Sequence, residues 1–335
     1  MPHAPIAALF KDLIDYAGLF PPAKLDMVSA VKAFAAHRAS PHAFGLARFV
    51  CPASRLTEFA KAAAPLLPSL DDVPVGVSVV TTVGGARSAR GAVVEPNTNG
   101  HGYQPPNPWT LSVLIDGPLD DNLAAIEQFN NDHYKNHHYS ACVDTVEIKV
   151  AVPDSIDLAM DRLPEELYPF FELPPNADVR SFGTALAGTG AGAKLRTGGV
   201  TPDLFPAAEA IADFLLVMNS AHVPFKCTAG LHHPLRAAYP LTYEPGSPTH
   251  VMHGFLNVFL AAAIVRELDA DKPTVVHLLT ETHPEAFRFS PEGLSWRGLR
   301  LSTAQIEDAR EEFALCFGSC SFDDPVNDLG RLNLL

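Results

Sequence analysis

The 335-residue sequence predicts an α/β protein, a single (β/α)8 TIM barrel spanning residues 1–335, on three observations. Short apolar, β-rich stretches alternate with longer amphipathic ones, the pattern of a parallel sheet whose crossovers are helices. The alternation repeats eight times. No G-x-G-x-x-G follows an early strand, so the doubly wound nucleotide-binding sheet lacks its main signature.

In order, strands are expected over residues 13–17, 46–51, 111–116, 144–151, 168–173, 193–197, 224–228 and 313–318. Their helices are expected near 26–38, 52–67, 120–131, from 154, 178–187, 206–221, 251–267 and 325–332. Asp323 or Asp324 would cap the closing helix, with Pro325 in its first turn. Two stretches interrupt the repeat and read as insertions. Residues 73–107 become rich in Gly, Asn and Pro, and 237–302 carry the seventh helix and then a hairpin over 287–296 that turns at 291–293.

Composition removes several function classes. With 47% hydrophobic residues the chain is not a disordered one. A net charge of −14 argues against nucleic-acid or anionic-membrane partners, which need a basic surface. The longest apolar run, 255–265, is interrupted by Asn257 and is too short for a bilayer core of about 20 residues. The first residues lack a basic and then apolar signal-peptide pattern, and the five cysteines form no C-x-x-C pair. A cytoplasmic setting without disulfides is the expectation. Oligomeric state is left open, and a homo-oligomer is compatible with the sequence.

Parallel barrel strands are covered on both faces and should be almost continuously apolar. Here several are not. Glu147 and Lys149 share one face of the fourth strand, Glu172 sits on the fifth, Lys194 and Arg196 on the sixth, and Lys226 with Thr228 on the seventh. Ile148, Leu195 and Phe225 alternate with them and should face the helices. Arg48 on the second strand and Asp15 at the end of the first join the set. Buried charges persist only when paired or titrated, and charges from consecutive strands converge on the barrel interior, whose active sites lie at the strand C-termini. A lysine crowded by other cations is pushed towards its neutral, nucleophilic form, the requirement for a Schiff base with a carbonyl substrate. Lys149, Lys226 and Arg196 would crowd Lys194, with Glu147 and Glu172 moving protons. Ion pairs that merely close the barrel are the competing reading.

After the strands come small and hydroxyl residues: Lys194-Leu-Arg-Thr-Gly-Gly, Lys226-Cys-Thr-Ala-Gly and Gly318-Ser319-Cys320-Ser321. Such turns suit an anion because they expose backbone N–H groups. Together the three segments resemble the late-strand motifs of class I aldolases of the deoxyribose-phosphate aldolase type. The resemblance implies that Lys194 forms the Schiff base, that Lys226 lowers its pKa, and that Gly318, Ser319 and Ser321 help hold a phosphate. Arg196 stands where that family has a small residue, and Glu147 is assigned as proton shuttle by position rather than by motif.

His232, His233 and Arg236 follow the Lys226 segment and should lie at the barrel mouth, one histidine as acid or base and the arginine as a carboxylate clamp. Lys226 and Arg236 are expected beside the Gly318–Ser321 turn. His253 and Asn257, four apart on one helix, could reach inward or satisfy buried backbone. Residues 136–138 read as surface. His-x-His and His-Glu-x-x-His are absent, while His277, Glu281 and His283 fall in the insertion, so no metal and no cofactor is implied. Cys320 has no base visible beside it in sequence. The expected activity is a lysine-dependent lyase acting on a small oxo compound with a carboxylate or phosphate. The alternatives are an isomerase or epimerase using Lys and Glu as acid and base, or a non-catalytic barrel that binds an anion or sugar.

Overall fold

A computed structural model describes residues 3–68, 108–134 and 140–335. The expected insertion at 73–107 and the surface reading of 136–138 lie outside the described residues. Helix α1 (Ala4–Phe10) leads into β1 (Ile14–Tyr16), and α2 (Met27–Arg38) follows. Then come β2 (Leu46–Pro52), α3 (Leu56–Ala63), β3 (Trp109–Leu114), α4 (Leu119–His133), β4 (Ala141–Lys149) and α5 (Asp154–Met160). The second half continues with β5 (Tyr168–Glu172), α6 (Val179–Leu186), β6 (Gly192–Arg196), α7 (Ala208–Ser220) and β7 (Phe225–Thr228).

After β7 the chain departs from the simple repeat. It forms a hairpin of β8 (Ala237–Pro240) and β9 (Thr249–Met252), then α8 (Phe255–Leu268) and α9 (Lys272–Leu279). A three-stranded antiparallel sheet follows: β10 (Phe287–Ser290), β11 (Gly293–Trp296) and β12 (Leu299–Ser302). Helix α10 (Thr303–Glu312), β13 (Ala314–Ser319) and α11 (Asp323–Arg331) close the chain. The sequence marked only the hairpin of this sheet. It missed β12 and α10, although Ser302 and Gln305 form a reciprocal capping box at the start of α10.

Strands β1–β7 and β13 form one closed parallel barrel, in the order β1-β13-β7-β6-β5-β4-β3-β2. The predicted (β/α)8 architecture is therefore the observed one. Alternation along the strands builds two cores. Phe225 turns outward against Phe214 of α7 and Phe259 of α8, and Phe317 stacks on Phe255 of α8. Ile148 lies in the same outer core, and Leu195 packs against it. Tyr16 and Phe49 face Phe34 of α2 in the same way. Inward residues include Phe170, whose ring lies where a Cβ on Gly192 would have to go. A side chain at Gly192 would displace that ring from the barrel floor. Helix α2 starts as its residues dictate, with the Asp26 carboxylate accepting from the Ser29 N–H. The closing helix differs from expectation. Asp323 is its first residue, Phe322 is the cap position, and the Asp324 N–H bonds to the Ser321 hydroxyl, because Ser321 is the side chain in reach of that donor.

Candidate active site

Glu147, Glu172, Lys194 and Lys226 stand on four consecutive strands, β4, β5, β6 and β7, with Lys194 in register with both Glu172 and Lys226. Their side chains converge. Lys194 Nζ lies 2.6 Å from Glu147 Oε2 and 2.7 Å from Glu172 Oε2. Lys226 Nζ lies 2.6 Å from Glu147 Oε1 and 2.5 Å from Asp15 Oδ2. One carboxylate, Glu147, thus joins both ammonium groups and also accepts from the Ser112 hydroxyl at 2.6 Å. All of these residues are buried.

The chain of charges runs from the floor to an opening. Asp15 also receives the Arg48 N–H and the Cys316 thiol, and Lys226 Nζ sits 5.3 Å from the Phe170 ring centroid. At the other end Glu172 Oε1 accepts from Arg196 Nη2 at 3.0 Å. Arg196 is 34% exposed in its side chain, against 3% for Lys194, so the network meets solvent through Arg196.

Electrostatics differ from the crowding expected of the lysines. Burial would raise the Glu147 carboxyl, but the two ammonium groups outweigh it and hold Glu147 well below the usual carboxylate range. Glu172 is lowered against its burial by Lys194 and then Arg196. Burial would lower Lys226, but Asp15 and Glu147 reverse this and hold it above the ordinary lysine value. Each lysine meets two carboxylates, because β1, β4 and β5 deliver acids to the same level. Cation crowding is therefore compensated, and Lys226 is held charged.

Other predicted residues sort by position. Lys149 is exposed at the end of β4 and stands apart from the buried network. Arg48 is buried, and its guanidinium grips Asp144 at 2.7 and 3.0 Å. Asp144 occupies an irregularity where β4 slips against β3 between Val143 and Thr145. Thr228 ends β7, and its carbonyl accepts from the Thr197 N–H. The Thr197 hydroxyl donates to the Ala229 carbonyl at 2.6 Å, and Gly198 lies against Gly230, which has φ +80°. The T-G and A-G pairs after the two lysines therefore lock the ends of β6 and β7 together, and a Cβ at Gly230 would strike the Gly198 backbone.

The expected anion site at Gly318–Ser321 is not assembled with its two cations. Lys226 is drawn inward to Asp15 and Glu147, while Arg236 Nη1 lies 3.0 Å from His253 Nδ1. The Ser319 hydroxyl donates to the Ser321 carbonyl, so this turn spends polar groups on itself. His253 also bonds the Pro206 carbonyl, and burial pushes its imidazole down to about 4. Asn257 satisfies buried backbone, accepting from the Arg236 N–H and donating to the Leu278 and Glu281 carbonyls. Glu281 pins the insertion through Trp296 and Arg297 and does not join His277. Among the described residues no group of three or more His, Cys, Asp or Glu is arranged to hold a metal ion.

His232 and His233 lie in a loop and part ways. His233 bonds Asp328 at 2.6 Å and stacks on Tyr239. His232 turns to Cys320 and Asp324. Sequence reasoning gave Cys320 no base, since the histidine is 88 positions away in the chain; it also missed Ser112, Asp144 and Cys316 as partners of the charged network. Only the polar residue on an inward strand position could have signalled Ser112 and Cys316.

No family model, curated protein or solved structure matches the chain. No helix among the described residues is long and apolar enough to cross a membrane.

Proposed function

We propose that the barrel is a lysine-dependent lyase that cleaves a small oxo compound carrying a carboxylate or phosphate, with Lys194 as the Schiff-base nucleophile. The observation that carries this reading is the placement of Lys194 between two carboxylates, one of which, Glu172, is shared with the partly exposed Arg196. An anionic group arriving at Arg196 competes with Glu172 for that guanidinium. Glu172 then loses a stabilising cation, becomes more basic, and can accept the ammonium proton of Lys194. The neutral amine attacks the carbonyl carbon and water leaves; a carboxylate then takes the proton of the β-hydroxyl, the carbon–carbon bond breaks with its electron pair moving into the iminium to give an enamine, and the hydroxyl-bearing carbon departs as a carbonyl product. The same carboxylate returns the proton to the enamine carbon, and hydrolysis of the resulting iminium releases the second product and returns Lys194. Glu147, held ionised, links Lys194 to the Asp15–Lys226 pair and fixes the two ammonium groups in place, so Glu172 is the carboxylate that exchanges a proton with Lys194. Lys226, held charged, supplies fixed positive charge beside the reacting nitrogen. Arg236 carries no carboxylate contact among the described residues and is the second anion-binding candidate.

A second reading is favoured by the completeness of the pairing: with both ammonium groups balanced by carboxylates, the same groups can shuttle protons as an isomerase without a covalent step. Borohydride reduction separates the two. Incubation with a panel of oxo acids and sugar phosphates, followed by reduction and intact mass measurement, should give a stable adduct for the lyase and none for the isomerase. The free state of all five cysteines supports a reducing, cytoplasmic setting.

A further inference from the structure

We infer that Cys320 is a redox modification site, an activated thiol oxidised by small hydroperoxides to the sulfenic acid. The sulfur lies 3.9 Å from His232 Nε2 and 3.8 Å from the Tyr243 hydroxyl. The other ring nitrogen of His232 faces Asp324 Oδ2 at 3.6 Å, an ion-pair separation too long for a hydrogen bond, and this buried nitrogen has no hydrogen-bond partner. Tyr243 donates to the same Asp324 oxygen at 2.6 Å. A thiol, a base in reach of it, and a carboxylate behind the base form the arrangement of an activated nucleophile.

The four remaining cysteines differ. Among the described residues none of their sulfurs has a histidine within hydrogen-bonding reach. Burial pushes the Cys51 and Cys316 thiols up to about 12 and raises Cys142 and Cys227 as well, which keeps them protonated and unreactive. His232 is moved the other way: burial would lower it, but Asp324 and Cys320 push it up to about 9. It therefore holds a proton readily beside the sulfur.

The oxidant class follows from access. Cys320 is 5% exposed and lies beneath Tyr243, which is 56% exposed. A small uncharged hydroperoxide can pass where a bulky disulfide or ester cannot. In the step the thiol proton passes to solvent beside the His232 imidazolium, the sulfur attacks one peroxide oxygen, an S–O bond forms and the O–O bond breaks. His232 gives its own proton to the departing oxygen, which leaves as water or an alcohol, and regains one from solvent. Sulfur loses two electrons and the peroxide gains them.

The test treats the full chain with hydrogen peroxide at low molar excess, captures sulfenic acid with dimedone, and reads each cysteine peptide by mass spectrometry. Cys320 should be labelled about tenfold faster than any other cysteine, and His232→Gln should slow it by about tenfold or more. Equal labelling of the five cysteines, or no label on Cys320, overturns the proposal. So does unchanged labelling in a His232→Gln protein with native circular dichroism. If that variant does not fold, the selectivity among cysteines in the unmodified sequence still decides.

Discussion

Two regions of the barrel bury cations, and they do it with different partners. At the N-terminal ends of the strands, Arg310 of α10 lies over the Phe259 ring and spends its hydrogen bonds on backbone: it donates to the carbonyls of Leu9 at 2.9 Å and Lys11 at 3.0 Å, and to those of Ala314 and Leu315. No carboxylate pairs with it among the described residues, and burial pushes it down to about 10. Towards the opposite ends, Lys194 and Lys226 are held by side-chain carboxylates that can themselves gain and lose protons. A carbonyl can fix a charge but cannot exchange a proton with it. The Arg310 end thus fixes its charge in place, and the lysine end is where the proposed reaction would run, the division expected of a (β/α)8 barrel.

Substitutions should break this comparison in a definite order. Glu147→Gln removes one of the two carboxylates from each of two buried ammonium groups at once and is expected to destabilise most, by about 3–5 kcal/mol, with activity lost; urea denaturation measures the first and substrate turnover the second. Arg310→Ala leaves several buried carbonyls unpaired and should cost about 3 kcal/mol, while turnover per folded molecule stays near that of the parent. Lys194→Met should cost less, about 1–2 kcal/mol, because Glu147 keeps Lys226 and Glu172 keeps Arg196; turnover should nevertheless vanish.

Smaller effects sharpen the picture. His232 is raised from 6.5 to about 9, so its contribution to stability is complete below pH 6.5 and is lost as pH rises through 9. The melting temperature should fall across that window, and His232→Gln should flatten the slope. Arg196→Gln, at a partly exposed position, should change stability by only about 0.5 kcal/mol. Its effect should appear in KM for the anionic substrate.

The barrel could be read from residues because its signals are local. Apolar runs such as 224–228, bounded by turns, mark strands, and the outward Phe225 beside the inward Lys226 follows from alternation alone. The same alternation placed Glu147, Glu172, Lys194 and Lys226 on one inner wall. What it could not supply was the pairing of those charges. That depends on which strands meet across the interior: Asp15 reaches Lys226 from the first strand, 211 positions away. Arg48 shows the same limit, since its partner Asp144 is directed by a slip in β4 that no run of residues announces. The helix α11 cap failed for a nearer reason. Ser321, Asp323 and Asp324 are all good capping residues, and only backbone geometry chooses among them.

In the proposed reaction Lys194 is the reagent and Lys226 the fixed charge, and peptide mapping after borohydride trapping tests this assignment directly. With a substrate found to turn over, the reduced adduct should map to Lys194 alone. The yield should fall to background in Lys194→Met, and Lys226→Met should retain a folded barrel with a slowed adduct at Lys194. An adduct on Lys226, an adduct spread over exposed lysines such as Lys149, or turnover with no adduct at all would contradict it.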